Sequence, residues 1–334
     1  MTVRVHFEGR PFELELGETV LGGLERHGVR IPSFCRTGVC QTCLVKATVG
    51  QPSPRSQEGL KDSWVEQGCF LACMCLAEVP LEVARCDAVE TFPSRVERVE
   101  PLAGGVLRVE LEAPTGLSHR AGQFVQLERP GGVTRPYSIA SLPGSARLEL
   151  HVAQLAGGAM SEWLAGATGQ AVRVRGPFGE CFYLEQEPER PLLLAGTGTG
   201  LAPLLGVVRA ALAAGHRGAV HLYHGSPSSE GLYLWQELAE LVAKAPGLRV
   251  FGSVLGEPLG LPTTPRCEVS GQPLERLILA DPLDFSACRV YLAGHPELVQ
   301  RLKKRLYLAG APLARIHADP FLAPAVLPLA PAAP

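Results

Sequence analysis

The chain has 334 residues, with 31 Lys and Arg against 33 Asp and Glu, and is too long for one ordinary domain. Its near-neutral charge, with no basic block and no interleaving of aromatic and basic residues, excludes nucleic acid as an expected partner. Ten cysteines behind a start with no signal-peptide features point to a reducing, cytoplasmic setting rather than a disulfide framework.

The opening MTVRVHFEGRPFELELGE reads as a hairpin, strands VRVHF and FELEL around the turn EGRP, and TVLGGLERHG as a short helix. Cys35, Cys40 and Cys43 follow in the order C-x4-C-x2-C, with Cys69, Cys73 and Cys75 about thirty residues on. This is the spacing by which one chain wraps a plant-type [2Fe–2S] cluster in four thiolates. Zinc prefers two short cysteine pairs, and only Cys40 and Cys43 form a CxxC. Gly38 suits a loop whose backbone must bend around the cluster. Cys69, Cys73 and Cys75 differ by even numbers, so on a strand all three face one side and parity leaves the fourth ligand open among them. LEVARCDA closes this unit as a strand. Cys86, Cys181, Cys267 and Cys288 stand apart and read as ordinary buried or half-buried thiols.

From Thr91 to Pro188 the pattern changes to short strands with Gly and Pro punctuation, which predicts a small antiparallel barrel. Within it lies Arg135-Pro136-Tyr137-Ser138, whose guanidinium fork matches phosphate oxygens. Gly157-Gly158-Ala159-Met160-Ser161 turns a glycine loop into a helix start. Ser161 then stands where free N–H groups favour an anion, or is a plain N-cap. Gly176-Pro177-Phe178-Gly179 marks the barrel's end. From Arg190 onward strand and helix alternate, which predicts a parallel, doubly wound sheet. Pro191 to Val208 carries no charge and is long enough to raise the question of a membrane span, but AGTGTGLAP within it reads as a loop between strand and helix. Gly196-Thr197-Gly198-Thr199-Gly200, after the strand Leu192–Ala195, lets backbone approach a pyrophosphate, and Pro203 suits the first helical turn. No Gly-Lys-Ser/Thr follows, and Leu201 takes the place of the third glycine of GxGxxG. The second strand of this region ends in His224-Gly225-Ser226-Pro227-Ser228-Ser229-Glu230, with no fixed cation before the acidic residue. Glu230 is placed to accept from ribose hydroxyls, and NADH is expected in preference to NADPH. The residues after Phe321, LAPAVLPLAPAAP, read as a disordered extension rather than a membrane anchor.

CRTGVCQTC with GCFLACMC resembles plant-type ferredoxin domains. The resemblance implies a β-grasp fold and makes Cys73 the fourth ligand beside Cys35, Cys40 and Cys43, because LAC matches the family's motif. Gln41 stands where that family has Gly or Ala. Arg135-Pro136-Tyr137-Ser138 resembles the RxYS signature of the ferredoxin–NADP reductase superfamily. That implies Arg135 on a flavin pyrophosphate, Tyr137 along the isoalloxazine and ribityl chain, and Ser138 at flavin N5. It also places Gly158, Met160 and Ser161 at the pyrophosphate. Gly196 to Pro203 resembles the superfamily's GTGTGxAP segment, and Val290 to Glu297 its YLCGPP segment beside the nicotinamide. Ala293, before Gly294, replaces the usual cysteine there, and His295 a usual proline. Asp319-Pro320-Phe321 matches a C-terminal aromatic that in relatives covers the flavin face or its neighbourhood, with a plain helix-end core Phe as the alternative.

The order ferredoxin–flavin–nucleotide resembles the reductase components of multicomponent oxygenases. It implies a multidomain α+β and α/β protein: a β-grasp [2Fe–2S] domain at 1–87, an antiparallel β-barrel FAD domain at 91–188, a doubly wound parallel-sheet NAD(P)H domain at 189–322, and a tail at 323–334. FAD is implied rather than FMN. Electrons would run from NADH through FAD and the cluster to an oxygenase, a hydroxylase or another one-electron protein acceptor. Two rival readings are an electron donor to a deoxysugar-forming dehydratase and a simple flavin reductase with a zinc-bound N-terminal interaction module.

Overall fold

The computed structural model describes residues 2–86, 89–258 and 260–322. The expected tail lies outside the described residues. Two compact units result: the chain up to Thr91 together with Glu128–Pro136, and Phe92–Leu127 with Tyr137–Leu322.

In the first unit, β1 (Thr2–Phe7) and β2 (Arg10–Glu15) form the expected hairpin. Its turn is shorter than expected. Phe7 pairs with Arg10, so only Glu8 and Gly9 connect the strands, at φ +50° and +78°. Positive φ at both central residues is the turn whose twist matches a strand pair, and Gly at the second position allows it. Helix α1 (Val20–Arg26) starts where Thr19 Oγ1 accepts from the Gly22 N–H at 3.1 Å. β3 (Leu44–Val49), α2 (Asp62–Glu66), β4 (Cys69–Leu71) and β5 (Leu81–Arg85) complete a five-stranded sheet in the order β2-β1-β5-β3-β4. The parallel β1–β5 pair at its centre, bracketed by antiparallel edges, is the β-grasp arrangement.

The second sheet holds β6 (Thr91–Leu102), β7 (Val106–Glu112), β8 (Phe124–Glu128), β9 (Thr134–Ser138), β10 (Arg147–Ala153) and, after the short α3 (Ser161–Ala165), β11 (Ala171–Phe178). Its order is β10-β7-β6-β11-β8-β9, and an antiparallel bridge from Ile139 to Leu150 brings the last strand back to the first. That closure makes it a barrel.

The third sheet is wholly parallel. β12 (Leu192–Thr197), α4 (Leu201–Ala213), β13 (Val220–Ser226), α5 (Trp235–Lys244), β14 (Leu248–Val254), β15 (Cys267–Ser270), α6 (Leu274–Leu279), β16 (Arg289–Gly294), α7 (Pro296–Leu308) and β17 (Ile316–Pro320) give the order β15-β14-β13-β12-β16-β17. Alternate residues of β12 feed two cores. Leu192 and Leu194 pack with α4 and α5 residues such as Leu204 and Leu238. Leu193 and Ala195 pack with Ile278, Val299 and Leu302. Helices on both faces make the sheet doubly wound. The order reverses at β12, flanked by β13 on one side and β16 on the other, which opens a crevice at the carboxyl ends of β12 and β16. The uncharged stretch from Pro191 to Val208 is a buried strand, a glycine loop and the first part of α4. No helix among the described residues is long and apolar enough to cross a membrane.

Candidate functional site

The cysteine loop between α1 and β3 is held open by left-handed backbone. Arg36, Gly38 and Gln41 take φ of +56°, +85° and +54°. A Cβ on Gly38 would stand 3.2 Å from Met74 Cγ, so glycine serves both the bend and the packing. The two non-glycine residues are tied down: Arg36 Nη2 donates to Glu25 at 2.7 and 2.8 Å, and Gln41 Nε2 donates to the Gly59 carbonyl at 3.0 Å. These bonds offset the strain of a side chain in the left-handed region, which is how Gln41 replaces the usual small residue.

The thiols of Cys35, Cys40, Cys43 and Cys73 are all buried and stand in two hydrogen-bonded pairs, Cys35 with Cys40 and Cys43 with Cys73. Cys35 is pulled down to about 4, first by the Cys40 thiol and then by the N–H groups of Cys40 and Thr37, while Cys40 is pushed up by the same shared proton. The Cys43 and Cys73 pair repeats this, Cys43 up and Cys73 down. Thr42 Oγ1 donates to Cys40 Sγ at 3.1 Å, and the N–H groups of Cys40 and Thr37 reach Cys35 Sγ at 3.3 and 3.4 Å. Two hydrogen-bonded thiol pairs, each met by N–H or O–H donors, form a donor set suited to two irons with two thiolates apiece.

The strand parity argument for the fourth ligand does not apply, because β4 ends at Leu71 and Cys73 lies in the turn after it. Cys75 Sγ turns toward the Leu76 carbonyl at 3.8 Å, and Cys69 Sγ lies 2.8 Å from Cys86 Sγ. Cys86 is therefore not the isolated thiol that the sequence suggests.

Strand β9 carries the next group. Arg135 and Tyr137 are half-buried on it and Ser138 is buried. The Arg135 guanidinium lies 5.0 Å over the Phe34 ring and donates to the Thr134 carbonyl at 2.7 Å. Thr134 Oγ1 is buried without a hydrogen-bond partner. A guanidinium, a phenol and two hydroxyls within five residues suit a flavin with its phosphates. Past β10, Met160 is the N-cap of α3 and Ser161 its first helical residue, so Ser161 is not the N-cap. Its hydroxyl accepts from the Leu155 N–H at 3.2 Å and folds the loop inward. A Cβ on Gly158 would come within 2.4 Å of it.

In the same unit the nucleotide loop forms at the sheet's crevice. Gly198–Gly200 is a single 3-10 turn joining β12 to α4. Gly198, at φ +52°, has open space beside it, as backbone approached by a pyrophosphate requires. Gly196 and Gly200 are needed for contact: a Cβ on either would meet the Ala293 carbonyl, at 2.8 and 2.5 Å. Gly294, at φ +108°, lies against Thr197, whose Oγ1 accepts from the His295 N–H at 3.1 Å. Thr199 sits within the turn, and Pro203 is the third residue of α4. Glu230 is exposed in the turn after β13. Phe321 follows edge strand β17 rather than a helix, and its N–H donates to the Gly294 carbonyl at 2.7 Å.

Three groups escaped the sequence reading. Asp319, two residues before Phe321, is brought under β9, where Ser138 Oγ donates to its Oδ2 at 3.4 Å. Burial pushes this carboxyl up to about 7 against the lowering effect of Ser138. His224 is buried beneath the nucleotide loop, and burial takes it down to about 4. It is neutral, so Nε2–H donates to the Gly198 carbonyl at 3.1 Å. Glu149 on β10 accepts from Arg209 on α4 at 2.8 Å and from His151 at 2.8 Å. Burial opposes its charge, but His151 and Arg209 together hold it down to about 2. The motif sequence around Asp319 held a signal, an acid beside the expected aromatic. His224 and Glu149 carried none, since their partners lie 26 and 60 residues away.

The 2Fe-2S iron-sulfur cluster binding domain family matches residues 5–78, the oxidoreductase FAD-binding domain family 104–183 and the oxidoreductase NAD-binding domain family 194–304. The chain is 29% identical over 316 residues to the ferredoxin–NAD(P)(+) reductase component of the naphthalene 1,2-dioxygenase/salicylate 5-hydroxylase systems of a Ralstonia species, covering 92% of this chain and 94% of that protein. It is 35% identical over 275 residues to the reductase subunit of an aromatic O-demethylase from an Amycolatopsis species, covering 77% and 82%. A crystal structure of an Amycolatopsis cytochrome P450 reductase superposes with a TM-score of 0.65 at 30% identity, covering 96% of this chain and 99% of that one. Fold and site define an iron–sulfur flavoprotein oxidoreductase that uses a nicotinamide nucleotide. The chain belongs to the ferredoxin–NAD(P) reductase family, among the reductase components of multicomponent oxygenases. The dehydratase-donor and zinc-module readings are not favoured.

Proposed function

We propose that this chain oxidises NADH and delivers single electrons from its cluster to an oxygenase or hydroxylase component in the cytoplasm. The observation that carries the reading is the presence, in one chain, of a paired-thiol loop and of the Ser138–Asp319 contact in the unit that also holds the nucleotide loop. FAD, when bound, supplies the conversion between a two-electron hydride and one-electron transfers. The protein's part is to bind, orient and hold protons. Arg135, Gly158, Met160 and Ser161 are the proposed flavin phosphate region, and Tyr137 and Ser138 the ring contacts. Ser138 and Asp319 hold a proton at the Ser138 hydroxyl. Gly196 to Gly200, Pro203, Ala293 and Gly294 receive the nucleotide, with Phe321 shielding the flavin. Cys35, Cys40, Cys43 and Cys73 are the proposed cluster ligands. Exposed Glu230 with no cation before it supports NADH, its carboxylate accepting from ribose hydroxyls. Domains at 1–87, 91–188 and 189–322 are the division we propose.

The test is an anaerobic NADH titration of the full protein, followed by visible and electron paramagnetic resonance spectra. Flavin bleaching should be accompanied by the signal of a reduced [2Fe–2S] cluster, and the reduced protein should pass electrons to an oxygenase component. Bleaching of flavin with an oxidised cluster throughout would refute the proposed route.

A further inference from the structure

Cys69 and Cys86 have no part in the two thiol pairs of the cluster loop, yet their sulfurs stand only 2.8 Å apart. Cys69 opens β4, and Cys86 follows the last residue of β5. These strands are not hydrogen-bonded to each other, because β3 runs between them, with Lys46 opposite Cys69 and Val45 opposite Arg85. The two thiols therefore meet across an intervening strand. Cys69 is fully buried and its carbonyl accepts from Gln57 Nε2 at 3.0 Å, while Cys86 is half-buried. One partner is thus fixed in place and the other is within reach of a small molecule. A bond would bring the sulfurs from 2.8 Å to about 2.04 Å.

We propose that Cys69 and Cys86 are a redox modification site that forms a reversible disulfide by exchange with a low-molecular-weight disulfide. The Cys86 thiolate attacks one sulfur of the small disulfide and releases one small thiol. Cys69 loses its proton and displaces the second, closing the Cys69–Cys86 bond. One S–S bond is broken and one is formed. The protein gives up two electrons and two protons, and the small disulfide leaves as two thiols. In a reducing cell such a bond is transient, formed when the thiol pool is oxidised. Its product ties β5 to the strand that leads into Cys73, four residues after Cys69. The inference rests on Cys73, rather than Cys69, as the fourth cluster ligand.

The experiment equilibrates the holoprotein without oxygen in glutathione buffers of graded oxidised-to-reduced ratio. Remaining thiols are trapped with N-ethylmaleimide and the protein is mapped by non-reducing peptide mass spectrometry. The visible cluster bands are recorded in parallel. A linked Cys69–Cys86 peptide should rise with the oxidised fraction and disappear on adding dithiothreitol, with the cluster bands retained. Cys86→Ser should keep the cluster bands and NADH oxidation and yield no linked peptide. If both thiols stay alkylated at every ratio, or if glutathione accumulates on Cys86 without the internal link, the proposal is overturned. Cys69→Ser separates the two assignments: a clusterless protein would overturn the Cys73 ligand assignment, and with it the pairing of Cys69 with Cys86 proposed here.

Discussion

Asp319→Asn tests whether the site stores an ionisation penalty for its chemistry. A buried carboxyl raised from 3.8 to about 7 loses stability as pH rises, because the unfolded chain ionises before the folded one. The contribution is intact below 3.8 and is gone once pH passes 7. At about 1.36 kcal/mol per pH unit, ionised Asp319 costs the fold about 4 kcal/mol at alkaline pH. Asparagine keeps the shape and a partner for Ser138 but cannot ionise. The variant should therefore be more stable than the parent at roughly pH 8.5, by as much as about 4 kcal/mol, and nearly equal to it at roughly pH 4. Its hydride transfer should be slower, by roughly 10- to 100-fold, if the carboxyl holds a proton for the Ser138 hydroxyl. Its rate should also lack the inflection near 7 expected of the parent. Urea unfolding at the two pH values and stopped-flow NADH oxidation across the range supply both readouts. A variant less stable at alkaline pH, or one with the same advantage at both, would refute the reasoning.

Cys73→Ser should yield protein that has lost the visible cluster bands yet still oxidises NADH with dyes that accept from flavin, as absorption spectra and dye reduction would show. The ratio of kcat/KM for NADH to that for NADPH should exceed one, and equal use of both would remove Glu230 from the nucleotide site. Glu149→Gln should destabilise by about 3 kcal/mol at neutral pH, because it removes a depressed, largely buried carboxylate and leaves half-buried Arg209 without its ion-pair partner, while Arg108 keeps Glu100 and Glu237. The depressed carboxyl contributes its stability above 4.5 and loses it as pH falls toward 2, so the difference measured in urea should shrink across that window. Gly206→Ala should cost roughly 1–3 kcal/mol and lower kcat, since its Cβ would meet the Gly122 N and Ile139 O atoms at 2.7 Å.

What was legible from residues alone followed from local rules. Strand and helix alternation after Arg190 predicted a parallel sheet because each strand must bury both faces, and RVYLAG is β16 residue for residue. The cysteine spacing predicted a wrapped cluster because three of the thiols share one loop. What failed was set by distant partners or by local backbone. The turn after Phe7 shortened to two residues because Gly9 accepts a positive φ. Helix α5 starts only at Trp235, although Leu232 and Tyr233 before it are also apolar, because Leu234 takes φ +60°. Cys86 looked isolated because its partner is 17 residues away and on the far side of another strand. Asp319 looked like a neighbour of an aromatic because nothing near it in sequence reveals Ser138, 181 residues earlier.

The distance between the flavin strand and the nucleotide loop is fixed by one helix. α4 begins where the loop Gly198–Gly200 ends, so its axis carries the loop. One turn and a half further on, Gly206 presses against Gly122 and Ile139, the residue after β9 ends at Ser138. Arg209 then donates to the Ala140 carbonyl at 2.9 Å and to Glu149. Both contacts grip the chain within two residues of Ser138. Moving the loop relative to that hydroxyl requires α4 to slide, which breaks a half-buried charge-assisted bond and a backbone contact together. Hydride transfer between two bound cofactors is sensitive to misplacement of about 1 Å, and a rigid packed helix is the element that resists it. The glycine at position 206 is the clearest sign of that role in the sequence, because only a residue without a side chain lets helix and barrel backbone approach this closely.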